Sequence, residues 1–340
     1  MDCVRWGVLG AGGVADRQML PNTRDLPNAR LQAVMVRDLG RAQQLAEKYR
    51  APRGYDRVQD LLADPEVDAV YVATPVNHHA AQVIAAAEHG KHVLCEKPMA
   101  LNAEQCREMI AACAANGVKL MVCFPLRFVP VHQRMREIVR QGELGEIVLA
   151  RVQLAKWYPL DPTAWRSDPA QAGGGVLMDL GSHLFDFLRF VVDEIQEVSA
   201  ALSNRTFNLA VEDTATVRVR FRNGGHGLID TSFGVFRASN QIEIYGTRGT
   251  LLRGPGEGGP RLFTAAGEQV LPAEPVHPYR AEMEHFSRCI LEDTEPLSTG
   301  WDGLRNITLI QAAYESARTG QAVTCPETPP PGDQVMASGR

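Results

Sequence analysis

The first segment of this chain with residue types suited to chemistry is residues 10–15, which match the pattern G-x-G-x-x-A directly after the apolar run 4–9. In such a segment the first glycine permits a tight turn and the second lets a pyrophosphate approach the backbone. The alanine lets helix and strand pack closely. An ordinary glycine turn is the alternative, but the position after the first strand-like run favours a dinucleotide site. The cofactor contacts predicted here are Gly10, Gly12, Gly13, Val14 and Ala15.

The residues after the second strand-like run bear on which dinucleotide binds. About 20 residues beyond the glycine segment, where an NAD site has an acidic residue for the ribose, the chain has Val36, followed by Arg37 and Asp38. Arg37 and Arg41 would lie near the 2′ position, where a guanidinium can pair with a phosphate. Asp38 is alternatively the N-cap of the next helix, and Arg41 alternatively a solvated side chain. We expect NADP as the preferred cofactor and NAD as the alternative.

The second segment with chemical potential is Glu96-Lys97-Pro98, which follows a short strand-like run. It would place a lysine at the carboxyl edge of a parallel sheet, where ligands of such sheets bind. Beside a nicotinamide, Lys97 can orient a substrate hydroxyl and stabilise a developing alkoxide. Pro98 fixes the turn and is a candidate for a cis peptide bond. The alternative for Lys97 is an ordinary surface lysine.

The third segment covers residues 173–183, with the sequence GGGVLMDLGSH. Asp179, His183 and Asp186 follow i, i+4, i+7 spacing on one face of a helix predicted over residues 176–192. An aspartate near a histidine can fix its tautomer and tune its pKa, which suits the imidazole to act as a general base near neutral pH. A partly exposed polar face with a capping role is the alternative.

Composition excludes several other classes of protein. The formal charge of −5, from 35 basic and 40 acidic side chains, argues against a nucleic-acid binder. No apolar run approaches the roughly 18 residues of a membrane span, and the first residues do not resemble a secretory leader. Seven scattered cysteines suggest neither a disulfide framework nor CxxC pairs, and His78-His79 lacks the companions of a zinc site. We expect a cytoplasmic protein without metal, membrane or nucleic-acid partners.

The elements that must position these segments change character at about residue 124. Before it, strand-like runs alternate with helical patterns, which predicts parallel βαβ units in a doubly wound Rossmann sheet. After it, alternating runs predict a large, mostly antiparallel sheet with helices on one face. We therefore predict an α/β fold with a Rossmann domain over 1–124, an α+β domain over 125–325 and a disordered tail over 326–340. The predicted strands are residues 4–9, 31–36, 68–74, 92–95 and 119–124, then 147–156, 197–203, 215–221, 227–233 and 241–245.

The order of the motifs resembles the Gfo/Idh/MocA family of oxidoreductases over about residues 3–326. Members are mostly NAD(P)-dependent dehydrogenases or reductases of sugars, inositols and related polyols or diols. The resemblance therefore implies hydride transfer between a nicotinamide and a carbinol or carbonyl carbon of such a substrate. The resemblance is carried by residues 10–15, Thr74-Pro75-x-x-His78, Glu96-Lys97-Pro98, Arg127-Phe128-x-Pro130, Trp165-Arg166, residues 173–183, residues 302–305 and residues 313–317.

The resemblance also implies roles for individual residues. Lys97, Asp179 and His183 match the catalytic lysine, aspartate and acid/base histidine of the family. In oxidation, His183 would remove the hydroxyl proton while Lys97 holds the oxygen. The substrate would contact Lys97, Tyr158, Trp165, Asp179 and His183. The further cofactor contacts implied are Thr74, Pro75, Asn77, His78, Glu96, Lys97, Arg127, Trp165 and Arg166, beside Arg37, Asp38 and Arg41.

Assembly and two alternative functions complete these expectations. In the family, the open face of the second domain's sheet often mediates oligomers, so the resemblance implies a homodimer or homotetramer through that sheet. One alternative function is a glycosidase that oxidises its substrate transiently with tightly held NAD. The other is a non-catalytic NADP-sensing regulator, which would need the glycine loop but not Lys97, Asp179 and His183.

Overall fold

The computed structural model describes residues 2–254, 258–272 and 275–325. The tail predicted over 326–340 lies outside the described residues. The strands are β1 Val4–Leu9, β2 Ala29–Met35, β3 Arg53–Tyr55, β4 Ala69–Val72, β5 His92–Cys95, β6 Leu120–Val122, β7 Ile147–Ala155, β8 Ile195–Ser203, β9 Thr214–Phe221, β10 His226–Ser232, β11 Ile242–Gly246, β12 Gly249–Arg253, β13 Arg261–Thr264, β14 Gly267–Val270 and β15 Val323–Thr324.

The helices include several short turns that are not α-helical. The α-helices are α1 Leu39–Tyr49, α2 Val58–Leu62, α3 His79–Glu88, α4 Ala103–Ala115, α5 Pro130–Arg140, α6 Pro169–Ala172, α7 Ser182–Val191, α8 Pro278–Leu291 and α9 Gly300–Thr319. The π-helical turns are Ala15–Met19 and Leu177–Gly181, and the 3₁₀ turns are Leu20–Asn22, Val76–His78, Pro125–Phe128 and Trp165–Ser167.

The chain divides into two compact units. The first unit comprises Met1–Pro130, Ala170–Gly173 and Glu274–Leu304, and the second comprises Val131–Pro169, Gly174–Ala273 and Arg305–Arg340. Helix α8 lies within the residues predicted for the second domain, 125–325, but it belongs to the first unit. It packs there because Phe286 lies on Trp6 of β1, with ring centroids 6.0 Å apart, and Ser287 Oγ accepts the Trp6 indole N–H at 3.0 Å. The domain boundaries at residues 124 and 325 stay predictions.

The first unit contains a parallel sheet in the order β3-β2-β1-β4-β5-β6. This is the strand order of a dinucleotide-binding Rossmann sheet, and the order reverses between β1 and β4, where ligands of such sheets bind. The predicted doubly wound architecture is confirmed. Strand β3 was not predicted because its three residues are too few to show a period. It nevertheless pairs in parallel with β2 at the edge of the sheet.

The second unit contains a sheet in the order β14-β13-β12-β11-β7-β10-β9-β8-β15. Its neighbouring strands are antiparallel except β7 and β10, so the mostly antiparallel sheet is confirmed. Strand β9 shows why the alternating pattern is diagnostic, since Val217 and Val219 are buried while Arg218 between them is exposed. Helix α7 packs against β7 and β10 on the buried face.

Candidate active site

The glycine loop of the first unit turns sharply after β1. Gly10 has φ +80°, and a Cβ there would lie 2.8 Å from Thr74 Cγ2 and 2.9 Å from the Ala73 carbonyl oxygen. The backbone N–H groups of Gly10 and Ala11 both donate to the Met35 carbonyl at 3.0 Å, which ties the loop to the end of β2. Only glycine can occupy a left-handed position with neighbours this close. The tight turn expected of Gly10 is therefore present.

The next two glycines leave the loop backbone accessible. Among the described atoms, a Cβ on Gly12 would meet only the Arg41 guanidinium within 4 Å, at 3.6 Å, and a Cβ on Gly13 would meet nothing. The space beside the loop is therefore bordered by a cation suited to a phosphate. Asp38 accepts the Arg41 backbone N–H at 2.7 Å, so its alternative role as N-cap of α1 is confirmed. Arg37, just after β2, is exposed.

Histidine 79 holds two loops together at the same sheet edge, although it was not among the predicted site residues. Its Nε2 lies 2.9 Å from the Thr74 carbonyl oxygen and its Nδ1 lies 3.1 Å from the Pro98 carbonyl oxygen. The side chain is buried, and burial lowers the pKa of His79 although these carbonyls act to raise it. The Lys97–Pro98 peptide is cis, as expected. A sequence pattern that showed His79 only beside His78 carried no sign of this contact.

Glutamate 96 supports the segment that carries Lys97 from the interior. Its buried carboxylate accepts the Tyr71 hydroxyl at 2.5 Å and the Lys97 backbone N–H at 3.1 Å. Burial, and then the charge of Glu96, raise the pKa of Tyr71 well above its usual value, so the phenol keeps its proton and donates. Within residues 93–100, all of them described, Lys97 alone is not buried. The fold thus presents this one side chain at the carboxyl edge.

Two other predicted cofactor residues of the first unit differ in their surroundings. Asn77, on the 3₁₀ turn Val76–His78, has a buried Oδ1 that accepts no hydrogen bond from any described residue. That oxygen is available to a donor on a ligand. The Arg127 guanidinium is buried and donates to Asp302 Oδ1 and to the Leu297 carbonyl, both at 2.8 Å. Arg127 thereby anchors a later segment of the chain, and its contact with the cofactor stays a prediction.

The helical segment of the second unit presents Asp179 and His183 together. The π-helical turn Leu177–Gly181 continues directly into α7, so the helix predicted over 176–192 is present with a widened first turn. Within residues 174–188, all described, these two side chains alone are not buried. Asp186, at the predicted third position of the face, is buried instead. A π turn holds more residues than an α turn, so the spacing counted for a regular helix is shifted across it.

Several loops of the second unit meet at one end of its sheet. Ser232 at the end of β10 pairs with Ala155 at the end of β7 and with Thr214 at the start of β9, which pairs with Ser203 at the end of β8. The loops that leave these four residues therefore lie side by side. They carry the predicted Tyr158, Trp165 and Arg166 and the residues 204–213.

Aromatic side chains line this end of the sheet. The Tyr158 ring lies 5.5 Å from the Phe233 ring, and the Lys156 ammonium lies 4.3 Å above the Tyr158 ring. The Arg166 guanidinium lies 4.2 Å above the Trp165 ring, on the turn Trp165–Ser167. Tyr158, Trp165 and Arg166 are all partly exposed. Their contacts with substrate and cofactor stay predictions.

Three further observations concern chemistry outside these segments. Across the described ranges, no group of three or more His, Cys, Asp or Glu side chains is arranged to hold a metal ion. The seven cysteines, which all lie in those ranges, are free thiols. None of the helices in the part of the chain that the structure describes is both long and apolar enough to cross a membrane.

Comparison with known proteins gives matches to both halves of the chain. Residues 4–124 match the model of the "Oxidoreductase family, NAD-binding Rossmann fold", and residues 132–252 match the "GFO/IDH/MocA C-terminal domain". The chain is 33% identical over 326 residues to 1,5-anhydro-D-fructose reductase of Ensifer adhaerens, covering 94% of this chain and 97% of the relative. It is 34% identical over 248 residues to trans-1,2-dihydrobenzene-1,2-diol dehydrogenase of Bos taurus, covering 72% of each.

Solved structures show the same similarity. The aldose-aldose oxidoreductase from Caulobacter crescentus, complexed with glycerol, has a TM-score of 0.88 and 30% identity, and covers 95% of this chain and 100% of that one. These matches, together with the fold, define an NAD-binding oxidoreductase. The chain belongs to the Gfo/Idh/MocA family. The predicted family, fold class and oxidoreductase function are confirmed.

Proposed function

We propose that this oxidoreductase transfers a hydride between NAD(P)(H) and a carbinol or carbonyl carbon of a sugar, inositol or related polyol or diol. The relatives support this substrate class, since they are named for 1,5-anhydro-D-fructose and for a dihydrobenzene diol, and the Caulobacter structure contains glycerol. One observation carries the proposal. Within residues 174–188, only the side chains of Asp179 and His183 are not buried.

The residues of the first unit fit a dinucleotide. Gly12 leaves the loop backbone open, the Arg41 guanidinium borders that opening, and the buried Asn77 Oδ1 offers an acceptor. A bound nicotinamide dinucleotide would supply the carbon that accepts or gives up the hydride. The same proposal includes cofactor contacts by Gly10, Gly13, Val14, Ala15, Asp38, Thr74, Pro75, His78, Glu96, Lys97, Arg127, Trp165 and Arg166.

The preferred cofactor in this proposal is NADP, with NAD as the alternative. Arg37 is exposed just after β2, and Arg41 follows on the first turn of α1 with its guanidinium beside Gly12. Two guanidinium groups at the end of the second strand suit a 2′-phosphate better than a pair of ribose hydroxyls. Asp38 caps α1 through Oδ1, which accepts the Arg41 backbone N–H.

The roles of the catalytic side chains follow from their chemistry. In oxidation, His183 removes the hydroxyl proton of the substrate, and in reduction it donates a proton to the carbonyl oxygen. The ammonium of Lys97 donates a hydrogen bond to the same oxygen and stabilises its negative charge in the transition state. Asp179 orients the substrate or the imidazole. Tyr158 and Trp165 form the substrate wall in this proposal.

Assembly and location are further parts of the proposal. The sheet of the second unit has one face covered by helices, and we assign the other face to a homodimer or homotetramer. Seven free thiols fit a reducing compartment, so we place the enzyme in the cytoplasm.

The proposal is tested by a panel of sugars, inositols and diols assayed with NAD and NADP in parallel. On the best substrate, Lys97→Ala and His183→Ala should each lower kcat by roughly 10²–10⁴-fold, because positioned acid–base groups contribute that much. The cofactor dissociation constant of the His183 variant should stay within about twofold of wild type.

Matched controls are His226→Ala, an exposed histidine of the second unit, and Lys119→Ala, whose ammonium pairs with Asp293. Both should retain wild-type turnover. Full turnover of the Lys97 or His183 variant would contradict the assigned role of that residue. Absence of turnover with every compound and both cofactors would contradict the substrate class.

A further inference from the structure

A carboxylate from another loop occupies the start of the helical segment that carries Asp179. Glu212 Oε2 accepts the Gly175 backbone N–H and Oε1 accepts the Leu177 backbone N–H, both at 2.9 Å. The Val176 N–H donates to the carbonyl oxygen of the same glutamate at 3.0 Å. The first amides of a helix have no partner within it, and a negative charge there is favourable. Three consecutive amides are therefore held by one residue.

A tyrosine from α9 completes this anchor. The Tyr314 hydroxyl donates to Glu212 Oε1 at 2.8 Å. Burial, and then the charge of Glu212, raise the pKa of Tyr314 well above its usual value, while the backbone of Gly175 and Met178 lowers it by less. The hydroxyl therefore stays protonated at neutral pH and remains a donor to the carboxylate.

The glycine run explains how Glu212 and Tyr314 come so close to its backbone. Gly174 has φ +157°, and a Cβ on it would overlap the Tyr314 hydroxyl. A Cβ on Gly175 would overlap the Glu212 carbonyl oxygen. Both glycines are thus required by neighbours from within the second unit. At these two positions the backbone is therefore closely packed against other residues of the protein.

The far end of the π-helical turn is also held by α9. The Asn306 amide donates to the Ser182 carbonyl at 2.8 Å, and the Ser182 hydroxyl donates to the Asp179 carbonyl at 2.9 Å. Asn306 and Ser182 are both buried. The backbone between Gly175 and Ser182 is therefore fixed at its start by Glu212 with Tyr314, and at its end by Asn306.

We propose that Glu212 and Tyr314 are positioning residues of the reaction, which set where Asp179 and His183 emerge from the helix without touching the substrate themselves. This inference rests on the proposed catalytic roles of Asp179 and His183. Its physical basis is that acid–base catalysis requires a fixed approach of the imidazole, and a misplacement of about 1 Å can cost about 100-fold in rate. Glu212 accepts the first three amides of the segment, and Tyr314 holds the carboxylate that accepts two of them.

The test uses Glu212→Gln, which keeps the shape of the side chain, and Tyr314→Phe, which removes only the hydroxyl. In the full-length enzyme each should lower kcat by about 10- to 100-fold, with the cofactor dissociation constant unchanged. The double variant should lose less than the product of the single losses, because both act on one turn. The matched control is Tyr55→Phe, which removes another tyrosine hydroxyl that donates to a carboxylate, Asp64 at 3.1 Å in the first unit.

A second readout does not depend on activity. Hydrogen exchange of the amides of residues 175–179, followed by mass spectrometry, should accelerate by about tenfold in both variants and should be unchanged in Tyr55→Phe. Unchanged exchange would overturn the anchor, and faster exchange with wild-type kcat would overturn the positioning role. If the wild-type enzyme turns over none of the panel, faster exchange still supports the anchor, and it is the proposed function that fails.

Discussion

Two glycine-rich segments, one in each unit, have similar composition but opposite surroundings. In the first, Gly12 and Gly13 face space in which a Cβ would meet nothing or only the Arg41 guanidinium among the described atoms. In the second, a Cβ on Gly174 or Gly175 would overlap the chain's own Tyr314 or Glu212. The space beside the first segment is open to a ligand, whereas the space beside the second is filled by other residues of the protein.

The difference shows what a glycine in a motif does and does not reveal. A glycine in a motif indicates that another group can approach the backbone closely, but it does not identify that group. Near Gly12 our proposal assigns that group to the bound cofactor, so substitution should affect binding. At Gly175 the group is already part of the fold, so substitution should affect stability. The two segments can therefore be separated by experiment.

The largest effect is expected for Gly175→Ala. The added Cβ would overlap a backbone oxygen, which cannot rotate away as a side chain can, so the second unit must distort. We expect a loss of about 3 kcal/mol or more in the free energy of unfolding, measured by urea denaturation. The control is Gly254→Ala, where a Cβ would meet no described atom within 4 Å and stability should hardly change. Equal free energies of unfolding for the two variants would contradict the close packing inferred at Gly175.

The fold itself was predicted well where an apolar run is bounded by polar residues. Strand β5 begins and ends as predicted, because its apolar run is short and lies between polar residues and Glu96. Helix α9, in contrast, was not predicted, although it spans Gly300–Thr319. It begins with a glycine and has apolar residues on several sides, so no single face stands out in the sequence.

The site was predicted as far as local motifs reach. Lys97, Asp179 and His183 lie in segments whose spacing or resemblance indicates chemistry, and the fold brings each one out of buried surroundings. Glu212 and Tyr314 were missed because Glu212 lies 37 residues from Gly175, whose N–H it accepts, and Tyr314 lies 102 residues from Glu212, to which it donates. Such contacts depend on tertiary packing, for which a single sequence has no periodic signal.

A smaller effect, on binding rather than stability, is expected for Gly12→Ala. The backbone of Gly12 is not in the left-handed region, so alanine fits the folded chain and unfolding should change by less than about 0.5 kcal/mol. The methyl group would fill the space through which a pyrophosphate reaches the backbone. We therefore expect the affinity for NADP and NAD to fall by at least about tenfold, measured by titration calorimetry. Unchanged affinity for both would remove the reason for assigning this opening to a ligand.

The smallest effect, and the one that sharpens what the first segment binds, is expected for Arg41→Ala. Because its guanidinium borders Gly12, it can pair either with the 2′-phosphate of NADP or with the pyrophosphate that both cofactors share. Our proposal predicts about a tenfold loss of NADP affinity, in the range of one charge-assisted hydrogen bond, with NAD affinity unchanged. The control is Arg107→Ala, an exposed arginine of α4 that pairs with Glu104. An equal loss of affinity for both cofactors would contradict the assignment of Arg41 to the 2′-phosphate and would place it at the pyrophosphate, which both ligands share.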